Sequence, residues 1–402
     1  MVFKQYCRKT IYNAKQFEKT NNFDIIMFAH MKNRTNLIFW HKLIKAFADS
    51  MIKAFIPVII YKSCMDMFLV MTYLCVYYFL CFVQNWALKK FLQKYGVIAM
   101  ALHAVPLIAL QFLLGMQMTW WLVIIVAVLA SVGQVLYSVP LNILFSFTDK
   151  KVNVAKFQIS TNVGKLIFIL LSGYVLGSDF SNSILVLSLV GSALYIGSAI
   201  PILFGYKLLK NSYSEIMANP PVIDKKSYRI FNLFHMAFSI FQTVLDVIVP
   251  LYLCVENLTY EAVAIVMALI ELCKIGANLF AKFLVKKNLA IVSTLASVVF
   301  LTAGCLVMMF VKNAVVLYVC SCCVAVSFPL LFVPMFSTFV KKVAQDNNQF
   351  DGMVERDIYI MLSKNIVFLP YFIFPNLMGQ FVIGIISAGV VAICSKKILS
   401  KK

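Results

Sequence analysis

The sequence predicts an all-α integral membrane protein with twelve transmembrane helices in two six-helix halves and both termini in the cytoplasm. Three observations lead to this prediction. Apolar residues make up 62% of the 402 residues and charged residues only 13%, with a mean hydropathy of +0.88, whereas a soluble domain is about half apolar and a quarter charged. The apolar residues fall into long runs. The basic residues are concentrated in every second segment between these runs.

A helix needs about 20 mostly apolar residues to cross the hydrocarbon core of a membrane. The sequence contains twelve such runs, which we number as spans one to twelve: 43–62, 66–84, 96–115, 119–140, 159–178, 183–205, 230–252, 261–281, 289–311, 314–338, 357–377 and 380–395. The last two runs meet at Gly379-Gln380, so eleven spans is the alternative count.

The distribution of Lys and Arg predicts the orientation. Thirty of the 36 basic residues lie in alternate segments: 1–45, 84–95, 148–158, 206–229, 282–288, 340–356 and 396–402. The loops on the other side of the spans hold only Lys62 and Lys312, and the remaining four basic residues lie inside spans. Short segments rich in Lys and Arg are retained in the cytoplasm, so both termini are predicted there and an even number of spans is favoured. The net charge of +20 is therefore interpreted as a topology signal rather than as a nucleic-acid interface.

The polar stretch 206–229 divides the spans six and six. We predict four parts: a basic cytoplasmic arm (1–40), an N-terminal half (41–206), a central cytoplasmic loop (207–229) and a C-terminal half (230–402). Two short repeats fall at corresponding places in the halves. Lys90–Lys94 matches Lys282–Lys286, and Ser160–Val163 matches Ser363–Ile366. Repeated six-helix halves are a known transporter architecture.

From about residue 37 onward, the chain resembles the major facilitator superfamily. That family carries the motif G-x-L-A-D-R-x-G-R-K between its second and third spans. The segment from Lys89 keeps the basic residue as Lys94 and the glycine as Gly96, with Gln93 in place of the acid. Lys286 lies in the matching loop of the second half. The resemblance implies the twelve-helix fold, and it makes Lys94, Gly96 and Lys286 candidates for a cytoplasmic gating loop.

The family's antiporter motif in span five, G-P-x-x-G-G, survives only as Ser172-Gly173. The carboxylate of the loop motif and the proline of the antiporter motif are both missing. The resemblance therefore extends to the architecture more than to the family's mechanistic motifs.

Ionisable residues inside a span are costly and usually face protein or water, so each one is a functional hypothesis. Seven charged residues lie within the spans and away from their first and last three residues: Asp49, Lys53, Lys165, Asp246, Glu271, Lys274 and Lys364. All seven are on spans that line the central cavity in the family's arrangement, which makes them candidates for substrate binding or ion coupling. His103 and His235 are also intramembrane, and His103 is expected to be a packed, hydrogen-bonded side chain.

Each charge also has an alternative interpretation. Asp49 with Lys53, and Glu271 with Lys274, have the spacing of ion pairs within one helix. Lys165 and Lys364 lie close enough to the cytoplasmic ends of their spans to extend towards the lipid headgroups. Asp246 has no basic residue within one helical turn, so it is our candidate for proton coupling, with an extracellular gate contact as the alternative.

Together these features predict a secondary transporter that moves a small-molecule solute by alternating access of its two halves. Four lysines against three or four acids in the spans favour an organic anion, and proton coupling is a further hypothesis. One alternative is an efflux pump for hydrophobic compounds, suggested by the aromatic content of 14%. The other is a non-transporting membrane partner or receptor, suggested by the eroded motifs.

No nucleotide-binding, hydrolase or nucleic-acid-binding motif occurs in the sequence, so we expect a non-enzyme with no cofactor and no nucleic-acid partner. The run Cys320, Cys322 and Cys323 lies in an apolar span without His or acid nearby, and it is expected to pack in the core rather than bind a metal. We expect a monomer in the lipid bilayer of the cell membrane (plasma or inner).

Overall fold

The structure, a computed structural model, describes residues 34–146, 154–178, 182–218, 225–255, 259–287, 289–310, 313–346 and 349–399. Within these ranges the regular secondary structure is helical. Residues 1–33 of the predicted basic arm lie outside the described residues, and the rest of that arm already belongs to the first helix.

The first half of the chain forms helices that coincide with predicted spans one to six. They are α1 (Arg34–Met51), α2 (Ile56–Cys64), α3 (Met67–Ala87), α4 (Lys89–Leu102), α5 (Ala104–Leu113), α6 (Trp120–Ser146), α7 (Val154–Gly177) and α8 (Ser183–Phe204). A 3₁₀ turn over Lys53–Phe55 joins α1 to α2. The stretch predicted as a central loop contains a further helix, α9 (Tyr206–Ala218).

The second half forms helices that coincide with spans seven to twelve. They are α10 (Lys225–Thr243), α11 (Val249–Val255), α12 (Tyr260–Lys286), α13 (Ala290–Phe310), α14 (Ala314–Gln345), α15 (Gln349–Phe368) and α16 (Met378–Leu399). A π-helical turn over Val244–Ile248 joins α10 to α11, and a 3₁₀ turn over Leu369–Phe372 extends α15.

By length and composition, nine spans in the described part of the chain can cross a membrane, and the pair α4–α5, bent by 45°, makes up to ten. The protein is therefore a multi-pass membrane protein. Predicted spans one and eleven are not among these ten. The first is broken by the turn after α1, and α15 begins with a cluster of charges that includes Asp351 and Arg356. Twelve crossings thus stay a prediction.

Polar side chains cap the N-termini of three helices at one end of the bundle. Asp66 accepts a hydrogen bond from the backbone N–H of Phe68 at the start of α3 (2.8 Å). Thr259 caps α12 and Asn313 caps α14 in the same way. These side chains satisfy N–H groups that have no partner within the first helical turn. We call this end the capped end and the opposite end, where α1 begins and α16 ends, the lysine-rich end.

The two halves repeat the same set of helix pairings. In the first half α1 packs on α7 and α8, α3 packs on α6, and α5 packs on α6 and α8. In the second half α10 packs on α15 and α16, α12 packs on α14, and α13 packs on α14 and α16. Each pairing in one half thus has its counterpart six predicted spans later. The fold is built from two similar bundles.

The bundles meet along two helix pairs, α7 with α12 and α3 with α15. Close approach of α7 to α12 requires a small residue at Gly173, because a Cβ there would overlap the Ala264 side chain. Small residues at helix crossings are typical of membrane proteins. These contacts enclose the space in which the charged residues of the spans lie.

Candidate functional site

A cavity of about 250 Å³ lies between the two halves. Its walls come from α1 and the turn after it, from α3 and α7 of the first half, and from the π-helical turn and α12 of the second half. Five of the seven predicted site residues line it: Asp49, Lys53, Lys165, Asp246 and Glu271. The other two contact lining residues: Lys274 contacts Asp246 and Glu271, and Lys364 lies over the ring of Tyr78.

The first-half cluster surrounds Asp49. Lys45 Nζ lies 2.5 Å from Asp49 Oδ2, and Lys53 Nζ lies 3.8 Å from Oδ1. Tyr195 of α8 donates its hydroxyl to Oδ1 (2.7 Å), and Lys53 donates to Gln134 Oε1 of α6 (3.2 Å). This cluster holds two lysines and one carboxylate, so it carries one uncompensated positive charge.

One expectation about the first-half cluster is confirmed and one is corrected. Lys53 contacts Asp49 at 3.8 Å as expected, and Lys45, also one helical turn from Asp49, makes the shorter contact. Lys45 was counted among the cytoplasmic basic residues, but its side chain is only 3% exposed. Its ammonium group is held by Asp49 and by the ring of Tyr137, whose centroid is 4.0 Å away.

The second-half cluster is centred on Lys274. Lys274 Nζ lies 2.8 Å from Glu271 Oε1 and 2.9 Å from Asp246 Oδ1. Gln242 also donates to Asp246 (3.2 Å). The Asn162 amide of α7, oriented with its nitrogen towards acceptors, donates to Glu271 Oε2 (3.2 Å). One lysine is shared by two carboxylates, so this cluster carries one uncompensated negative charge.

The expectation that Asp246 lacks a basic partner is wrong. Its partner, Lys274, is 28 residues further along the chain and lies on a different helix, so spacing within one helix could not reveal the contact. The expected pair of Glu271 with Lys274 is present. Asp246 itself lies in the π-helical turn, and such turns occur frequently at functional sites.

Two lysines face this region without a carboxylate at ion-pair contact distance among the described residues. Lys165 lines the cavity from α7. Lys364 lies on α15, with its Nζ 4.9 Å from the centroid of the Tyr78 ring, which is a cation–π distance. Neither lysine extends to the end of its helix as the alternative interpretation expected. With both included, five lysines face three carboxylates in and around the cavity.

Tyrosines form one wall of the cavity. Tyr73, Tyr77 and Tyr78 of α3 all line it, and Tyr78 stacks on Phe368 of α15 at a centroid distance of 5.7 Å. This stacking is part of the contact between the two halves. The wall is aromatic in its body and hydroxylated at its tips, so it can contact both apolar and polar parts of a solute.

The gating-loop candidates lie at the lysine-rich end. Gly96 packs against the ring of Tyr213 on α9 so closely that a Cβ would overlap it. Tyr213 donates its hydroxyl to Leu92 O (2.8 Å), and burial raises the pKa of this phenol, so it stays protonated. The Nζ of Lys94 lies 5.0 Å from the ring of Tyr95.

A charge contact joins the halves at this end. Lys89 Nζ at the start of α4 lies 2.7 Å from Asp351 Oδ1 at the start of α15. Both side chains are more than 40% exposed. Lys286 lies in the exposed last turn of α12. Asp351 was not selected from the sequence, because an acidic side chain in the first turn of a helix is usually exposed to water.

The intramembrane histidines lie away from the cavity. His103 is fully buried and its Nδ1 lies 2.6 Å from Met100 O, which confirms the expected packed, hydrogen-bonded side chain. His235 is buried against Phe339. Among the described residues no group of three or more His, Cys, Asp or Glu side chains could hold a metal ion.

The remaining contributors to the site are residues that sequence reasoning did not select. Lys45 could have been found, because it lies four residues from Asp49 just as Lys53 does. Tyr195 carries no such signal. It lies on predicted span six and reaches Asp49 because α8 packs against α1.

Comparison with known proteins identifies the fold. The chain matches no protein-family model and no curated protein sequence. Among solved structures, a bacterial homologue of the iron transporter ferroportin in its outward-facing state aligns with a TM-score of 0.66. It is 14% identical, and the alignment covers 92% of this chain and 99% of that one.

Two other transporters align over similar lengths. The fucose:proton symporter FucP of E. coli gives a TM-score of 0.58 at 13% identity and covers 90% of this chain and 97% of its own. A POT family transporter in complex with a thioalcohol-conjugated peptide gives 0.60 at 12% identity, with coverage of 90% and 95%. A further FucP structure is described as a major facilitator superfamily transporter. The chain therefore has the fold of these transporters.

Proposed function

We propose that this protein is a secondary transporter that moves a small anionic solute across the membrane. The observation that carries the proposal is the excess of lysines over carboxylates in and around the cavity between the halves. The solved structures with the same fold are transporters, among them a proton symporter and a homologue of an iron transporter. Because that likeness extends to the fold alone, the solute is argued from the cavity.

The proposed binding groups are Lys165, Lys364 and Lys53. Lys165 and Lys364 have no carboxylate at ion-pair contact distance among the described residues, and Lys53 contacts Asp49 only at 3.8 Å. A carboxylate or phosphate group in the cavity would supply the missing counter-charge, and charge-assisted hydrogen bonds of this kind are stronger than neutral ones. The tyrosine wall of α3 would contact the rest of the solute.

Alternating access would follow from rocking of the two similar bundles about this cavity. The first-half cluster belongs to one bundle and the second-half cluster to the other. Each is held together mainly by contacts within its own bundle. An anion bound between Lys165 of the first half and Lys364 of the second would draw the bundles together.

Proton coupling would act through Asp246 in this proposal. Asp246 and Glu271 share Lys274, so a proton on Asp246 would remove one of the two negative charges that hold this lysine. Lys274 would then be available to the anion. Protonation and anion binding would favour each other, as symport requires.

The charged lining favours a polar solute over the apolar compounds of an efflux pump, because unpaired ammonium groups are costly beside an apolar molecule. The alternative of a non-transporting partner or receptor makes the opposite prediction in a transport assay. The proposal also includes twelve spans, cytoplasmic termini, the four-part division of the chain, a monomeric state and a place in the cell membrane.

The test is uptake of labelled anions by proteoliposomes that contain the full chain, with and without an inward proton gradient. We expect saturable uptake that the gradient increases. Asp246→Asn should remove the gradient dependence, whereas Glu215→Gln, a change at an exposed site on α9, should retain it. Gradient dependence in Asp246→Asn would refute the coupling role. No uptake of any solute in a broad panel would refute transport itself.

A further inference from the structure

A second, smaller cavity of about 110 Å³ lies between the halves at the lysine-rich end. The first half contributes Lys42 in the middle of α1, Asn142 near the end of α6 and Gln158 near the start of α7. The second half contributes Arg356, two turns into α15. Four apolar side chains complete the lining: Leu141, Phe145, Phe332 and Phe336. None of these residues lines the central cavity.

Arg356 is the strongest indication of a ligand. The residue is only 9% exposed. Its Nη1 donates to Asp357 Oδ1 (2.9 Å), and its guanidinium carbon lies 5.1 Å from the centroid of Phe336. Its buried Nε has no hydrogen-bond partner among the described residues. A buried donor without a partner is rare in proteins, and an ion that the structure does not hold is one recognised explanation.

The other polar groups of the cavity suit an anion. Lys42 supplies a second positive charge, and the side-chain amides of Asn142 and Gln158 can each donate hydrogen bonds. Asp357, the neighbour of Arg356, accepts from Arg356 and from the Asn142 side chain. The lining therefore offers cationic and amide donors from both halves.

We propose that this cavity binds one compact oxyanion, in the form of a free phosphate or sulfate ion or the carboxylate or phosphate group of a small solute. Arg356 would bind it through Nε, Lys42 would neutralise it, and Asn142 and Gln158 would donate to its remaining oxygens. A guanidinium group recognises such anions through paired N–H donors.

The dimensions of the cavity restrict the ligand. Since a water molecule occupies about 30 Å³ in the liquid, the cavity has room for a few waters or for one small oxyanion. A lipid headgroup with its acyl chains would not fit. Because donors come from both halves, a bound anion would hold the lysine-rich end of the two bundles together. The site is separate from the proposed transport cavity, and its existence does not depend on that function.

The test measures the thermal unfolding midpoint of the full chain in detergent while sodium phosphate or sodium sulfate is added at constant ionic strength. A ligand that binds the folded state raises the midpoint in a saturable manner. We expect such a rise for both oxyanions. An equal rise with sodium chloride alone, or no saturable rise, would overturn the proposal, since the cavity would then hold water only.

Substitutions locate the site. Arg356→Gln and Lys42→Gln should each weaken the apparent affinity for phosphate about tenfold or more, because each removes a charged donor. The exposed Lys396→Gln on α16 should leave the affinity unchanged. Lys165→Gln in the central cavity should leave in place the part of the phosphate response that depends on Arg356. If Lys165→Gln abolished the phosphate effect and Arg356→Gln did not, the anion would be in the central cavity and the proposal would be wrong.

A further variant separates the site from a general loss of folding. Gln158→Glu would place a carboxylate of nearly the same size in the cavity, where it would substitute for the anion. We expect it to raise the unfolding midpoint without phosphate and to remove the response to phosphate. A lower midpoint together with an unchanged phosphate response would overturn the proposal. Anion uptake by proteoliposomes reports on transport separately, so either proposal can fail while the other holds.

Discussion

Removal of the lysine that two carboxylates share gives the clearest energetic test of the second-half cluster. In Lys274→Met, Glu271 and Asp246 would lose their ammonium partner, although they keep their amide contacts. Glu271 is only 6% exposed, so water reaches it only from the cavity that it lines, whereas the Asp246 side chain is 37% exposed and water can replace part of its lost contact. The protein would then hold two carboxylates near each other with no cation between them.

The magnitude follows from the distances. At 2.8 and 2.9 Å and an effective dielectric constant of about 20, each contact represents roughly 6 kcal/mol of gross Coulomb attraction. Much of this offsets the cost of removing the charges from water. Measured losses on breaking one side of a buried pair are about 3–5 kcal/mol. We expect Lys274→Met to lower the free energy of unfolding by that amount.

The assay is reversible unfolding by denaturant titration of the purified protein in mixed micelles. The exposed Lys396→Met should change the free energy of unfolding by less than about 0.5 kcal/mol. Adding Glu271→Gln to Lys274→Met should recover stability, because it removes the unpaired buried charge, with an interaction energy within the usual range of up to about 3 kcal/mol. A loss below about 1 kcal/mol in Lys274→Met, or no recovery in the double variant, would refute the paired arrangement.

Two further predictions concern the lysine-rich end. Lys89→Asp should weaken the contact between the halves by about 0.2–1 kcal/mol, the usual value for an exposed ion pair, and Asp351→Lys in the same chain should restore it. The reagent accessibility of a cysteine introduced into the central cavity reports the change. If the double variant did not restore the accessibility of the native chain, the pair would be excluded. Gly96→Leu should destabilise the protein by about 1–3 kcal/mol because its side chain overlaps Tyr213, and Tyr213→Ala should relieve part of the loss in thermal unfolding.

Much of the helical framework could be predicted from the sequence. A span must satisfy its backbone hydrogen bonds within itself and present apolar side chains to lipid. Each span is therefore visible in the sequence as a continuous run of apolar residues. The helices of the structure follow the twelve predicted runs. The breaks in the first and seventh, at Lys53–Phe55 and Val244–Ile248, were not predicted, because a short 3₁₀ or π turn changes the hydropathy pattern very little.

The candidate site could be predicted only where its contacts are local. Glu271 and Lys274 are three residues apart, so helical spacing was enough to pair them. The contacts of Asp246 with Lys274 and of Tyr195 with Asp49 join residues 28 and 146 positions apart. Such contacts depend on how the helices pack, and a single sequence does not record that packing. For the same reason Lys45 was counted among the cytoplasmic basic residues although its side chain is buried.

The most direct test of the central claim is the charge selectivity of uptake by proteoliposomes, measured for the native chain and for Lys165→Gln. The account predicts saturable uptake of small anions in preference to neutral or cationic solutes of the same size. Lys165→Gln should reduce that uptake about tenfold or more, since it removes a charged donor that has no carboxylate at ion-pair contact distance among the described residues, and should leave the unfolding midpoint unchanged. Preference for cationic or neutral solutes, or undiminished anion uptake in Lys165→Gln, would contradict the account.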